Sequence, residues 1–326
     1  MRPHLADKLF DSRTRARLTQ LADLDPDLII SDFTTSEAHA ALRETEVIIS
    51  SWGCPPIDET VLAAAPGLRT VIHAAGTVKS LITDACWERG IQVTSAAWVN
   101  ALPVAEFTVA AILFANKQVL RISAEYRTRR AGLDLTEGYP EIGNYGRTIG
   151  VVGASQIGRR VLDLLRPYDL QLLLHDPYAA PTEAEELGAR SVPLDELCAL
   201  SDVVTIHAPQ LPSTHHMIDR HRLALMPDGA TLVNTARGSL VDQDALVDEL
   251  VTGRLNAVLD VTTPEVLPAD SPLYNLPNVL LTPHLAGSLG NELHRMAAAA
   301  ADELARYTAG LPFMCPVLPQ DMHRTA

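Results

Sequence analysis

The chain is poor in the residues that staple small folds. Its 326 residues hold four cysteines, Cys54, Cys86, Cys198 and Cys315, widely spaced and without a CxxC pair. That spacing suggests neither a zinc site nor a redox dithiol, and it fits reduced thiols in a cytoplasmic protein; no metal site is expected. Aromatic residues make up only 5%, and positive charge is scarce: 26 Lys and Arg stand against 40 Asp and Glu. The resulting formal net charge of −14 argues against non-specific binding of nucleic acid or of an anionic membrane surface. No apolar run reaches the ~20 residues that cross a bilayer, and the opening MRPHLADKLFD has no signal-peptide core. Internal repeats and low-complexity tracts are missing too. What remains is 47% hydrophobic residues and a length that suits two ordinary domains.

One stretch organises the rest: TIGVVGASQIGRRVLDLLRPYDLQLLLHD, residues 148–176. A β-branched run suits a buried parallel strand. Gly153 follows at once and Gly158 five residues later. Ile157, Val161, Leu164 and Leu165 recur at helical spacing, a second apolar run follows, and Asp176 ends it. This is the order of a dinucleotide-binding βαβ unit. A helix N-terminus offers free N–H groups to a pyrophosphate, and a carboxylate after the second strand suits an adenosine ribose. Asp176 also repels a 2′-phosphate, which favours NAD over NADP. The middle glycine of the usual Gly-x-Gly-x-x-Gly is Ser155 here. The pattern alone would equally describe a tight turn in an ordinary α/β protein.

Elsewhere, short apolar runs alternate with helical patterns. Strands are expected at residues 28–30, 47–49, 71–72 and 91–93 of a small α/β lobe, whose first strand reads as missing or shortened. Residues 103–130 read as one long helix with Pro103 in its first turn, and residues 131–147 as a loop. After Asp176 the alternation continues through strands at 203–207, 231–234, 257–261 and 279–281 to an Ala-rich helix at 288–309. The expected organisation is a split lobe, 1–100 with 286–326, around a dinucleotide lobe, 101–285, with a substrate cleft between them. Simple sequential domains are the competing arrangement.

Polar residues at strand ends line the crevice of an open α/β sheet. Three such places carry chemistry. Arg237, in VNTARG, has a planar guanidinium suited to a carboxylate. Asp260 and Glu265 lie in LDVTTPE, and His284 lies in LTPHLAG. Taken singly, these are a surface salt bridge, loop carboxylates and a structural histidine. Taken together they describe 2-oxo acid reduction. An arginine holds the carboxylate and polarises the carbonyl, and a histidine fixed by a carboxylate moves a proton. A nicotinamide supplies hydride. Trp52, beside Gly53 and Pro55, either lines the cleft or packs in the core.

The ordered set AEFTVAAILFANK, the Gly153 turn, HDP, VVTIHAPQLPSTHHMI, LVNTARGSLVDQDAL, LDVTTPE and LPNVLLTPHLAG resembles the D-isomer-specific 2-hydroxyacid dehydrogenase family over nearly the whole chain. The resemblance implies a Rossmann-like NAD-binding domain, a smaller flavodoxin-like substrate domain and a homodimer joined through the cofactor lobes. It implies that Arg237 binds substrate, that Glu265 pairs with His284, and that His284 is the acid/base. It places the cofactor at Gly153, Ser155, Gln156, Ile157, Gly158 and Asp176. His207, Pro209, Thr235, Ala236, Asp260, Ala286 and Gly287 complete that site. Backbone N–H groups of Gly76, Thr77 and Val78 would bind the substrate carboxylate, although Lys79-Ser80 stands where the family has Asp-Asn. The expected substrate is a small 2-oxo or 2-hydroxy acid, not named by the sequence. Two alternatives stand beside it. A formate dehydrogenase-like enzyme pairs its histidine with glutamine, against which Glu265 argues. An NAD(H)-sensing scaffold of the corepressor type would share the fold without turnover.

Overall fold

The computed structural model describes residues 1–322, and the chain falls into two compact units. One comprises Met1–Asn100 and the segment from Ser288 on; the other is Ala101–Gly287.

The larger unit is a seven-stranded parallel sheet. Its strands are β4 (Thr148–Val152), β5 (Gln171–His175), β6 (Arg190–Ser191), β7 (Val203–Ile206), β8 (Thr231–Asn234), β9 (Asn256–Leu259) and β10 (Val279–Leu281). Their spatial order is β6-β5-β4-β7-β8-β9-β10. Order reverses between β4 and β7, the switch point at which doubly wound sheets bind dinucleotides. Side chains alternate between two cores, as the two-residue period of a strand requires. Val152, Leu173, Val204, Ile206, Leu232 and Leu259 face one core. Ile149, Val151, Leu172, Leu174, Val233 and Val258 face the other. With both faces covered, the strands read as unbroken apolar runs.

The smaller unit repeats the plan with β1 (Val47–Ser50), β2 (Thr70–His73) and β3 (Gln92–Ser95) in parallel, and β11 (Pro316–Val317) antiparallel to β3. Here Ile72 packs with Leu9, Leu18 and Met296 on one face, and Val71 with Leu62 and Ile82 on the other. Buried Glu303, on the helix Leu293–Thr308, ties β11 in place. It accepts the Thr94 hydroxyl at 3.0 Å and the N–H groups of Met314 and Cys315 at 3.0 and 2.9 Å.

Several expectations need correction. Residues 28–30 form no strand, and among the described residues none precedes Val47; the chain opens in the helices Pro3–Leu9 and Ser12–Leu21. The expected helix at 103–130 is two, Ala97–Asn116 and Val119–Arg129, separated where Gln118 turns left-handed at φ 46°. Pro103 lies inside the first of these, not in its first turn, and denies the Val99 carbonyl its helical donor. By length and composition, Ala97–Asn116 is also apolar enough to cross a membrane, contrary to the reading of the bare sequence. Its apolarity has a packing use, because Ala105, Val109, Ala111 and Ile112 belong to the buried core of the larger unit.

Candidate active site

Six strands of the larger unit end on polar or glycine-bearing loops, and their C-terminal ends carry the expected site. Gly153 follows β4 at φ +99°, a backbone that disfavours any side chain, and a Cβ there would stand 2.8 Å from Ala208 N. A Cβ on Gly158 would meet Gly153 O at 2.0 Å. The turn therefore presses against both its own helix and the end of β7. Ser155 is the N-cap of the helix Gln156–Leu165, its hydroxyl accepting Gly158 N–H at 3.3 Å. The N–H groups of Gln156 and Ile157, which lead that helix, have no carbonyl four residues back within it. Asp176 closes the turn from β5: its carboxylate accepts Ala154 N–H at 2.6 Å and Tyr178 N–H at 2.7 Å.

His207 follows β7. It is buried, its Nε2 pairs with Thr205 Oγ1 at 3.0 Å, and its Nδ1 has no partner among the described residues. Burial pushes its pKa down to about 3, so the ring is neutral. Pro209 follows at the half-buried start of the next loop. Thr235 and Ala236 leave β8, both buried, with Thr235 Oγ1 against Thr108 Oγ1 at 3.1 Å. A glycine turn that a Cβ would fill, a helix N-terminus, a carboxylate after β5 and an orphaned imidazole nitrogen at the switch point form a donor set that fits a dinucleotide.

Arg237 is held beside this set. Asn234 anchors its turn at both ends, donating to Arg237 O at 2.9 Å and accepting Ala236 N–H at 3.0 Å. Burial holds the guanidinium pKa below its ordinary value, and the Glu265 charge offsets only part of that. Next to it, Gly238 permits a close approach: a Cβ would lie 2.2 Å from Thr262 C. The loop carrying Glu265 is thereby drawn against the loop carrying Arg237. Thr262 Oγ1 donates to Pro264 O and Glu265 O, and Gln243 clamps Thr263 through both its N–H and its carbonyl.

His284 follows β10 with φ 55°, a left-handed backbone that is strained for histidine. Its Nδ1 stands 2.6 Å from Glu265 Oε1. The pair is half exposed, with 47% and 57% of the side chains accessible, so its worth lies in orientation more than in energy. With Nδ1 engaged, Nε2 is the free end of the ring. Asp260 anchors the loop from β9. It is 1% exposed, and its carboxylate accepts the Thr282 hydroxyl at 2.6 Å, Leu285 N–H at 2.8 Å and Ala286 N–H at 2.9 Å. Gly287 closes the unit.

The profile of the NAD-binding domain of the D-isomer specific 2-hydroxyacid dehydrogenases matches residues 109–286. Glyoxylate reductase of Korarchaeum cryptofilum is 35% identical over 260 residues, covering 78% of this chain and 77% of that one. This chain belongs to the D-isomer specific 2-hydroxyacid dehydrogenase family. The family's NAD-binding domain gives it NAD as cofactor. D-3-phosphoglycerate dehydrogenase of Mycobacterium leprae is 34% identical over 275 residues, 83% of this chain and 51% of that protein, so the chain spans about half the length of that relative. D-mandelate dehydrogenase of Rhodotorula graminis superposes with a TM-score of 0.77 at 26% identity, covering 94% of each chain.

In the smaller unit, β2 runs into the loop of Gly76, Thr77 and Val78. Thr77 Oγ1 accepts Lys79 N–H at 3.3 Å. The Val78 side chain is core, 3% exposed, so that only its backbone remains to a ligand. Ser50 Oγ and His73 Nδ1 pair at 2.9 Å at the ends of β1 and β2. Sequence reading missed the residues that hold the site together: Asn234, Gln243, Thr262 and Thr282. Their signal is weak, since small polar residues beside glycine and proline occur in any loop.

Proposed function

We propose that the chain interconverts a small 2-oxo acid and the corresponding D-2-hydroxy acid with NAD, and that Arg237, Glu265 and His284 carry the reaction. The observation that supports this best is the 2.6 Å contact between His284 Nδ1 and Glu265 Oε1 across 19 residues of sequence. It fixes one ring nitrogen and leaves Nε2 to move a proton at the substrate oxygen. Arg237 binds the carboxylate and draws charge onto the carbonyl oxygen, and its partial burial strengthens that pull. The N–H groups of Gly76, Thr77 and Val78 are assigned to binding a substrate carboxylate. NAD supplies the hydride acceptor or donor when bound.

In the cofactor site, the N–H groups of Gln156 and Ile157 would hold the pyrophosphate and Asp176 the adenosine ribose. The Asp176 carboxylate, already fixed by two N–H groups, disfavours a 2′-phosphate and so NADP. His207, Pro209, Thr235, Ala236, Asp260, Ala286 and Gly287 complete this site. The protein works as a homodimer in the cytoplasm, and the larger unit supplies the face. A mostly apolar groove of about 190 Å³ is lined by Phe107, Phe114, Val119, Leu120 and Leu280, with Phe114 57% exposed. It opens where β8 and β9 begin, at the opposite end of the sheet from Arg237 and His284. Sedimentation at the mass of one chain would remove the dimer.

The test of the reaction is NADH oxidation with a panel of 2-oxo acids, wild type beside His284→Ala. Turnover should fall by about 10²–10⁴ in the variant, with NADH binding, read by fluorescence, unchanged. Near-normal turnover would assign the proton to another group.

A further inference from the structure

The loops that leave the three parallel strands of the smaller unit are poor in carboxylate. Among residues 51–58 after β1, 74–83 after β2 and 96 after β3, in a chain of net charge −14, only Asp58 is acidic, and it caps the next helix by accepting Val61 N–H at 3.0 Å. This is also the end at which an open α/β sheet receives ligands.

Arg2 lies at that end. Its N–H donates to Trp52 O at 3.1 Å, and its side chain runs across Gly53. A Cβ on Gly53 would stand 2.5 Å from Arg2 Cγ and 3.2 Å from Nε, and Gly53 sits at φ +77°. The one residue without a side chain thus makes room for the arginine stem. Several arginines of this protein are anchored, Arg15 on Asp7, Arg147 on Asp202, Arg222 on Asp195 and Arg254 on Glu249, and others, such as Arg13, Arg43 and Arg160, are not; what sets Arg2 apart is its place over Gly53 at the ligand end of the sheet. The Arg2 guanidinium has no ion pair or hydrogen bond among the described residues.

We infer that Arg2 receives a second anionic group of the substrate, which makes the preferred 2-oxo acid a dicarboxylate or a phosphorylated acid. The inference rests on the reaction proposed above, with the Gly76–Val78 backbone taking the first carboxylate. Neighbouring strands stand about 5 Å apart, so the loop after β1 flanks the loop after β2 at the scale that separates the carboxylates of a four- or five-carbon diacid. Trp52, 36% exposed, gives the connecting carbons an apolar wall. His73 adds no charge: it is bonded to Ser50, and burial pushes its pKa down to about 4. Lys79 adds a second cation to the same end of the sheet.

The experiment compares kcat/KM for 2-oxoglutarate, oxaloacetate and 3-phosphohydroxypyruvate, which carry a second anionic group, with that for the monoanions 2-oxopentanoate and pyruvate, in wild type, Arg2→Gln and Arg2→Lys. Wild type should prefer at least one of the first three over 2-oxopentanoate by tenfold or more. Which one is preferred tells carboxylate from phosphate. Arg2→Gln should lower that value by roughly 10- to 100-fold, through KM, as loss of a hydrogen bond to a charged group predicts. The monoanions should stay within about twofold, and Arg2→Lys should regain part of the loss. Preference for the monoanions, or an equal fall for both groups of acids in Arg2→Gln, overturns the inference alone. No turnover of any acid, with NADH still bound, overturns the proposed reaction and this inference with it.

Discussion

Asp260→Asn is the most informative single change in the larger unit. The substitution keeps the shape of a side chain that is 1% exposed and removes its charge. Oδ1 takes two donors, the Thr282 hydroxyl and Leu285 N–H, while Oδ2 takes Ala286 N–H. In its best orientation the amide oxygen keeps the first two, and its NH₂ then faces Ala286 N–H. A buried N–H left without an acceptor costs about 1–3 kcal/mol, and two bonds to a charged acceptor become weaker neutral ones. Relief of the buried charge offsets part of this. A net loss of about 2–4 kcal/mol follows, and Asp260→Ala, which strands all three donors, should exceed it. In urea, with a slope of about 2 kcal/mol/M, the midpoint of the larger unit should fall by roughly 1–2 M at constant slope. Because the lost bond holds Ala286 and a weakened one holds Leu285, the two residues after His284, we expect turnover to fall further than NADH affinity. An Asn variant within about 0.5 kcal/mol of wild type would refute the anchoring argument.

Gly158→Ala should lower NADH affinity at least tenfold, read by fluorescence titration, because its Cβ would enter Gly153 O at 2.0 Å and push the turn apart; unchanged affinity would place the phosphates elsewhere. Acid should destabilise both units. His73 and His207 are held neutral, with folded values of about 4 and about 3 against an ordinary 6.5. The unfolded chain therefore binds protons first as pH falls below 6.5, and stability present above that pH is lost on the way down. Each ring removes about 1.4 kcal/mol per pH unit until its folded value is reached; a flat urea midpoint between pH 6.5 and 4.5 would mean that both rings are already solvated. Glu303→Gln should strand one of the N–H groups of Met314 and Cys315, destabilise the smaller unit by about 2–3 kcal/mol, and expose residues 311–318 to protease; an unaltered cleavage pattern would count against Glu303 as the tie of β11.

Much of the site is readable because its determinants are local. Gly153, Gly158 and Asp176 stand at spacings that one strand, one turn and one helix impose, so a βαβ unit shows in 29 residues. The break at Gln118 is not readable, since no Gly or Pro marks it; a non-glycine residue adopts φ 46° there under tertiary constraint. Residues 28–30 are apolar enough for a strand, yet strands exist only where a neighbour pairs with them, and among the described residues β1 pairs only with β2. Asp260 passes for a loop carboxylate until three donors are seen to converge on it.

By itself, then, the sequence determined the parallel α/β plan, the glycine turn and its carboxylate, and the three loops on which chemistry could sit, because period and turn geometry act over a few residues. Tertiary structure alone decided which side chains meet. It brought Glu265 to His284 through the close approach that Gly238 allows, Asp260 under the loop beyond β10, Glu303 to β11, and Arg2 across Gly53. Those contacts depend on strand order, which is set by the packing of two cores against a sheet and not by any neighbouring residue.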